Sequence, residues 1–287
     1  WGSFYAPIGP DPAATLAAGL EHVRRNRRDW DLMDVRWADR TRPEIAQTPE
    51  IMRSAGFPAQ EGVWAQTAIV EMSTTWEQYW ASRPRKWRRT VDRLERRLAE
   101  RGEVTHVRYR PAGDAYDDAD PRWDLYDACE EVARMSRNGS SIGGTTLSHQ
   151  GVQPYLRDAH LAAVRTGSLD LNLLLVDGEP VAFAYNYRYR ASVCGIRTGF
   201  DPRFAAAGPG TVLTRKTLQS SFRSGDHLYD MGTGFLHCKR PWQTSTVESC
   251  RYTHFPVAAP RVQLLRMKRW LQRRRHSNAT QAPAARA

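Results

Sequence analysis

Three runs of strand-forming residues, Leu169–Val176, Val181–Tyr189 and Ser192–Phe200, follow one another with only short breaks. Asp177-Gly178 has the chemistry of a two-residue hairpin turn, whose central positions favour residues that accept positive φ. Arg190-Ala191 makes the second turn. This antiparallel meander is the feature that most restricts the fold, and the chain beyond it changes character. The loop Asp201–Gly210 leads to a helix, Thr211–Arg223. After Ser224-Gly225, a strand at His227–Met231 runs into Gly232-Thr233-Gly234, and Val247–Phe255 is a last strand. Three antiparallel strands, a glycine turn, a helix and a further strand predict a mixed α/β sheet.

The first half reads less regularly. Leu16, Leu20 and Val23 recur at helical spacing within residues 11–29, behind Pro10-Asp11-Pro12. Trp30–Trp37 is a short strand, residues 48–55 a short helix ending at Gly56, and Val63–Met72 a strand. Trp76, Trp80, Trp87, Val91, Leu94 and Leu98 form the apolar stripe of a long helix, with a restart at Ser82 and Pro84 and a stop at Gly102. A polar link, Pro111–Pro121, precedes a helix at Trp123–Arg137. The Gly/Ser/Thr-rich Asn138–Ser148 is expected to be a mobile loop, and a helix follows at Gln153–Thr166.

Composition sets outer limits. The 287 residues suffice for one large domain or two smaller ones. A hydrophobic share of 41% excludes wholesale disorder. No apolar run approaches the roughly 20 residues of a membrane-spanning helix. The chain opens Trp1-Gly2-Ser3, without Met or a secretory leader, and is expected to be the interior of a longer product. Cys129, Cys194, Cys238 and Cys250 lack CxxC spacing, so reduced thiols, a cytoplasmic setting and no metal site are expected. The net charge of +11 is concentrated: residues 83–101 carry +6, residues 261–275 carry +7, and the remainder is −2. A near-neutral body wears two basic helices.

The segment from Gly199 to Thr211 places small residues and glycines between a strand and a helix N-terminus, a geometry that suits a pyrophosphate. Gly208 and Gly210 allow close backbone approach, while Pro209 removes one donor. A plain strand-to-helix turn reads equally from these residues alone.

In context, the order of features resembles the GNAT superfamily of acyl-CoA-dependent N-acyltransferases, and within it the CelD-like and FemAB-like branch. The residues concerned are Arg85-Lys86-Trp87-Arg88-Arg89, the hairpin Val176–Ala182, Phe200-Asp201-Pro202 with Gly208-Pro209-Gly210, and Tyr229-Asp230-Met231-Gly232 followed by Lys239 and Trp242. The resemblance spans about residues 75–255. It implies that Arg203 to Gly208 lies on the family's acyl-CoA loop, with Ala206 where Gly is usual, and that Gly208, Gly210 and Thr211 contact the phosphates. It further implies that Ile196, Arg197 and Thr198 pair with the pantetheine, and that the thioester enters where this strand and the Tyr229 strand separate. Acetyl-CoA or another acyl-CoA is the expected co-substrate.

A second spacing suggests duplication. Gly9-Pro10, a helix and Asp34 echo Gly208-Pro209, a helix and Asp230. This predicts a tandem of two GNAT-like modules, the first incomplete: a partial module at 1–74, an acyltransferase domain at 75–258, and a basic amphipathic helix with a disordered tail (276–287) within 259–287.

Acid–base candidates are Asp230, which would take a proton from the attacking ammonium, His237, Tyr229 as proton donor to the leaving thiolate, and Glu131. Each also has an ordinary reading, as a turn cap, a surface histidine, a buried tyrosine or a solvated glutamate. Arg85, Lys86 and Arg89 on the basic helix, with Lys239 and Trp242, are the substrate-binding candidates. The first functional reading is acyl transfer to an amino group of a small-molecule, cell-envelope or polysaccharide precursor. The alternatives are a FemAB-like transferase using a tRNA-linked donor, and a non-catalytic protein that binds an anionic partner. Residues 261–275, interleaving Val262, Leu264, Leu265, Met267, Trp270 and Leu271 with cations, suit peripheral contact with an anionic membrane, on its inner face.

Overall fold

The computed structural model describes residues 7–136, 147–149, 151–234, 236–257 and 259–280, the side chains of 260 and 272–280 excepted. In chain order the elements are α1 (Pro12–Arg25), β1 (Met33–Asp39), α2 (Pro43–Ala46), α3 (Thr48–Ser54), β2 (Ala59–Glu71), α4 (Trp76–Ser82), α5 (Arg85–Ala99) and β3 (Val104–Tyr109). There follow α6 (Trp123–Met135), α7 (Gln153–Arg165), β4 (Leu169–Val176), β5 (Glu179–Tyr189), β6 (Ser192–Phe200), α8 (Pro209–Arg223), β7 (Leu228–Thr233), α9 (Leu236–Lys239), β8 (Ser245–His254) and α10 (Pro260–Thr280). The expected meander is present. Asp177 and Gly178 both take positive φ, +50° and +81°, as the tight turn requires. The long helix breaks into α4 and α5 where Arg83 and Pro84 turn extended.

Contacts divide the chain into two units, residues 67–246 and residues 1–66 with 247–287. The sequence places boundaries at 74/75 and 258/259, in apparent linkers. The contacts place them instead within β2 and β8, because those strands pair with partners remote in sequence.

In the larger unit the strand order is β3-β4-β5-β6-β7-β2. Strands β3 to β6 are antiparallel neighbours, β7 runs parallel to β6, and β2 is antiparallel to β7. Residues opposite one another in register share a face, so two faces can be read directly. On one, Leu169, Leu171, Leu173, Phe183 and Tyr185 pack under α6 and α7 with Tyr126, Cys129, Val132 and Val164. On the other, Leu174, Ala182 and Ala184 meet Leu98 of α5 and Val212 and Leu213 of α8. The small alanines admit a helix backbone closely. Val193 and Tyr229 continue this second face into a cluster with Trp76, Tyr79, Val91, Leu218 and Trp242.

Strand β3 has no counterpart in the sequence reading, since His106 and Arg108 break its apolar pattern. Those polar side chains are used inside. Asp170, with no exposed surface, accepts from Arg108 (2.8 Å), Arg110 (3.0 Å), Asn172 (3.1 Å) and Asn186 (3.3 Å), and Arg110 also binds Asp226 at 2.6 Å. Burial opposes the charge on Asp170, but the two guanidiniums overcome it and bring its carboxyl down to about 2.

In the smaller unit β1 pairs antiparallel with β8, and Ala38, Cys250 and Tyr252 form a core with Leu20, Ile45, Met52 and Phe57. Helix α10 begins as expected but runs to Thr280, so the disordered tail expected from 276 does not begin there; residues 281–287 lie outside the described residues. Of the loop expected at 138–148, Leu147 is fully buried and residues 137–146 lie outside the described residues. Among the described residues no helix is long and apolar enough to cross a membrane, and no metal-holding cluster of His, Cys, Asp or Glu is present.

Candidate active site

Strands β6 and β7 pair in parallel at Ser192–Leu228, Val193–Tyr229 and Cys194–Asp230, and the ladder stops there. Two glycines let the backbones stay close at that point. A Cβ on Gly195 would stand 3.0 Å from the Asp230 carbonyl oxygen, and one on Gly232, at φ +74°, would stand 2.9 Å from the Gly195 carbonyl oxygen. On the other side of β6, Arg197 pairs with Tyr185 and Gly195 with Asn186, leaving Ile196 as a bulge. A bulge bends its strand and re-aims side chains, so β6 turns as it loses β7. From Gly195 to Phe200 the β7-side edge carries no ladder partner among the described residues. The strand divergence that the resemblance implies is therefore present, and it begins after Cys194 and Asp230.

Asp230 stands at the mouth. It is 5% exposed; its Oδ1 accepts from the Gly232 amide at 2.6 Å and its Oδ2 lies 3.9 Å from Cys194 Sγ. Burial raises its carboxyl above the usual range, and the Gly232 amide, Lys239 and Cys194 only partly offset this. A desolvated carboxylate without a salt bridge has the character of a proton acceptor. Asp34, its counterpart in the suggested repeat, differs. Burial also opposes its charge, but hydrogen bonds from Arg251, Arg36 and Thr253 lower its carboxyl. Of the two, only Asp230 is desolvated without such compensation.

The other candidates divide. Tyr229 points to the opposite face from Asp230, into the core with Val193 and Leu218, and burial drives its phenol up. It does not join Asp230 at the mouth as a proton donor. His237 is exposed on α9, a short helix that follows the Gly232-Thr233-Gly234 turn. Glu131 is exposed on α6, whereas its neighbour Glu130 is 5% exposed; the helical phase turns Glu130, not Glu131, inward. Lys239 donates to the Gly232 and Thr233 carbonyls at 2.9 and 3.0 Å, so it pins the end of β7 rather than meeting substrate. Trp242 is buried; it stacks on Trp80 at 5.8 Å, and its carbonyl accepts from the Tyr79 hydroxyl. It too is an anchor. Thr198 is exposed at the β6 edge, and Arg197 donates to the Ile196 carbonyl at 2.6 Å.

The turn before α8 is a 3-10 helix, Pro202–Ala207, capped by Asp201. Arg203 is exposed and its guanidinium is bound to Asp201 at 2.7 Å. Gly208 takes φ +59°, and a Cβ there would come 2.8 Å from Leu94 Cδ1, so this glycine admits α5. The amides of Thr211 and Val212 both turn onto the Gly208 carbonyl. With Pro209 having none, Gly210 supplies the available amide of the first turn, and around its Cα there is space, the nearest atom being 3.6 Å from a built Cβ. The first turn of α8 thus presents few open amides.

Beside it, α5 carries Arg85, Lys86, Arg89, Arg93, Arg96 and Arg97. At 100° per residue these six fall within an arc of about 120°. All are exposed, and among the described ion pairs none uses them. The helix's Asp92 and Glu95 are instead bound by Arg215 and Lys216 of α8.

A meander, a parallel strand that diverges beside a bulge, and a helix that follows the meander through a glycine turn together give the architecture of an N-acyltransferase fold. The chain belongs to the acetyltransferase (GNAT) domain family, whose model matches residues 85–240. No curated protein matches the sequence. Among solved structures the chain is similar to FemX (12% identity, TM-score 0.55, covering 90% of this chain and 80% of that one). It is similar also to a conserved protein of unknown function from Bacteroides thetaiotaomicron (12%, 0.53, 86% and 77%) and to L-PGS from Bacillus licheniformis (13%, 0.50, 79% and 71%). These likenesses span between 71% and 80% of the solved chains. At such identities they bear on the fold, which includes a FemAB-like relative.

Proposed function

We propose that the protein transfers an acyl group from acyl-CoA to an amino group of a small-molecule or envelope-glycan precursor. The observation that carries the reading is the mouth between β6 and β7, where a bulge, two close-packed glycines and a desolvated Asp230 coincide. Acyl-CoA supplies an activated thioester. The edge of β6 past Gly195 offers backbone amides to that carbonyl, and fixed amides stabilise charge as it develops on oxygen. Asp230 accepts the proton of the incoming ammonium, directly or through a water. The free amine then attacks the thioester carbon, the C–N bond forms as the C–S bond breaks, and CoA leaves as a thiolate that takes up the proton lost by the new amide nitrogen. The Gly210 amide and the dipole of α8 face the phosphates.

An aminoacyl-tRNA donor is the second reading, and the six-cation stripe of α5 favours it, since it presents a phosphate-binding face with no competing ion pair among those described. The chain order supports a tandem of two modules. In each half a strand is followed by one or two short helices and then by another strand, β1-α2-α3-β2 and β7-α9-β8, and the pairs formed are β2 with β7 and β8 with β1. Contact with an anionic membrane rests on α10. Leu264, Met267, Trp270 and Leu271 are exposed at helical spacing, while Val262 packs inward with Phe255 and Ala259.

Titration calorimetry with acetyl-CoA tests the donor. Gly210→Asp puts a carboxylate where the pyrophosphate belongs and has room to do so without unfolding the chain. It should abolish acetyl-CoA binding. Equal affinity in both proteins refutes the phosphate turn. Binding of tRNA, lost in Arg89→Glu/Arg93→Glu, with no binding of acetyl-CoA, would establish the second reading instead.

A further inference from the structure

Two buried polar atoms of the larger unit have no hydrogen-bond partner among the described residues and stand one helical turn apart on α6: the Tyr126 hydroxyl and Glu130 Oε1. Tyr126 has no exposed surface and Glu130 is 5% exposed. Leaving such a group unpaired is costly, the more so for a charged one, so its persistence calls for a donor.

The surroundings say what kind of donor. Glu130 Oε2 accepts from Gln153 Nε2 at 2.9 Å and lies 3.3 Å from Arg157 Nη1. Arg157 also binds Asp127, at 2.9 Å. One guanidinium thus serves two carboxylates, and the cluster keeps a surplus negative charge. His160 does not supply the missing cation. Its ring nitrogens meet the Tyr185 hydroxyl at 3.0 Å and the Pro121 carbonyl at 2.6 Å, and burial favours its neutral form.

The cluster lies on the same sheet face as the mouth. Tyr126 packs edge-on against Tyr185, ring centroids 6.0 Å apart, and Tyr185 against Tyr187 at 5.7 Å. Arg197 and Cys194 are register partners of Tyr185 and Tyr187, and Asp230 is the partner of Cys194. These residues therefore share the sheet face that α6 and α7 cover.

We propose that Glu130 Oε1 and the Tyr126 hydroxyl form an ammonium-binding subsite for the acceptor, which is accordingly a cationic amine. A primary ammonium can donate to both oxygens and neutralises the surplus charge; an alcohol of the same shape supplies the hydrogen bonds alone. That the bound amine is the acceptor rests on the acyl-transfer reading, whereas binding of a cation here does not.

Calorimetry of the full chain with 1,5-diaminopentane and with the isosteric 1,5-pentanediol tests it. The diamine should bind at least tenfold more tightly than the diol, and Glu130→Gln should remove that difference. Tyr126→Phe should weaken diamine binding by about threefold, as for one neutral hydrogen bond. Glu131→Gln should change nothing. Arg157→Gln, which leaves more of the charge on Glu130 uncompensated, should tighten diamine binding, and keeps the test decisive should Glu130→Gln fail to fold. Equal affinity for diamine and diol, as a buried water alone would give, overturns the subsite. So does unchanged discrimination in Glu130→Gln or weaker binding in Arg157→Gln. Acetyl-CoA titrated into the same proteins separates the two claims. A chain that binds the diamine but not acetyl-CoA loses the acyl-CoA reading and keeps the subsite; the reverse result removes only the subsite.

Discussion

Gly232 gives the most direct test of how the mouth is built. Its φ of +74° lies in the left-handed region, and a Cβ would stand 2.9 Å from the Gly195 carbonyl oxygen, about 0.5 Å inside the 3.4 Å where ordinary contact begins. Gly232→Ala thus incurs two costs: about 1–2 kcal/mol for a left-handed alanine and about 1–3 kcal/mol for overlap with backbone that cannot rotate away. Gly234→Ala is the matched control. Its φ is +77°, but nothing lies within 4 Å of the built Cβ, so only the first cost applies. Denaturant unfolding should therefore place Gly232→Ala about 1–3 kcal/mol below Gly234→Ala. Because relief of the overlap moves β6 against β7, acetyl-CoA affinity should fall about tenfold in the first variant, about 1.4 kcal/mol, and stay unchanged in the second. Equal stability losses, or wild-type acetyl-CoA affinity in Gly232→Ala, would refute the view that these glycines set the gap.

Asp230→Asn should lower kcat at least tenfold and remove the acidic limb of the rate profile, with little change in acetyl-CoA affinity; a wild-type profile would place the base elsewhere. Burial raises the Asp230 carboxyl, so the folded state loses stability as pH rises from the usual carboxylate range through that raised value, and Asp230→Asn should melt higher than wild type at pH 7 but not in acid. Asp170 has the opposite sign: its carboxyl, held near 2, contributes about 2 kcal/mol that is present above pH ~4 and lost as pH falls toward 2. Asp170→Asn, leaving Arg108 and Arg110 uncompensated, should cost about 3–5 kcal/mol by denaturant unfolding at pH 7. Leu264→Gln/Met267→Gln/Leu271→Gln should abolish flotation with vesicles containing phosphatidylglycerol and leave the melting temperature unchanged; retained flotation would remove α10 as the membrane contact.

What the sequence by itself determined is local. The meander, its Asp177-Gly178 turn and the break between α4 and α5 follow from turn chemistry, strand periodicity and a proline, all set by neighbours in the chain. The strand divergence at Asp230 was expected only through the family resemblance that the order of these elements carries. Strand β3 was not, because His106 and Arg108 look like surface residues until Asp170 and Asn172 receive them from another strand. Tertiary structure alone decided that Glu130 rather than Glu131 is buried, that Tyr229 faces away from Asp230, and that Lys239 and Trp242 are anchors. It also decided that Gly208 serves Leu94 of α5, more than a hundred residues earlier, and that Asp34 is ion-paired where Asp230 is not. Backbone conformation answers to the adjacent few residues. Burial, charge compensation and hydrogen-bond partners answer to residues tens to hundreds of positions away, and those are what turn a carboxylate into a base, a salt-bridge partner or a binding site.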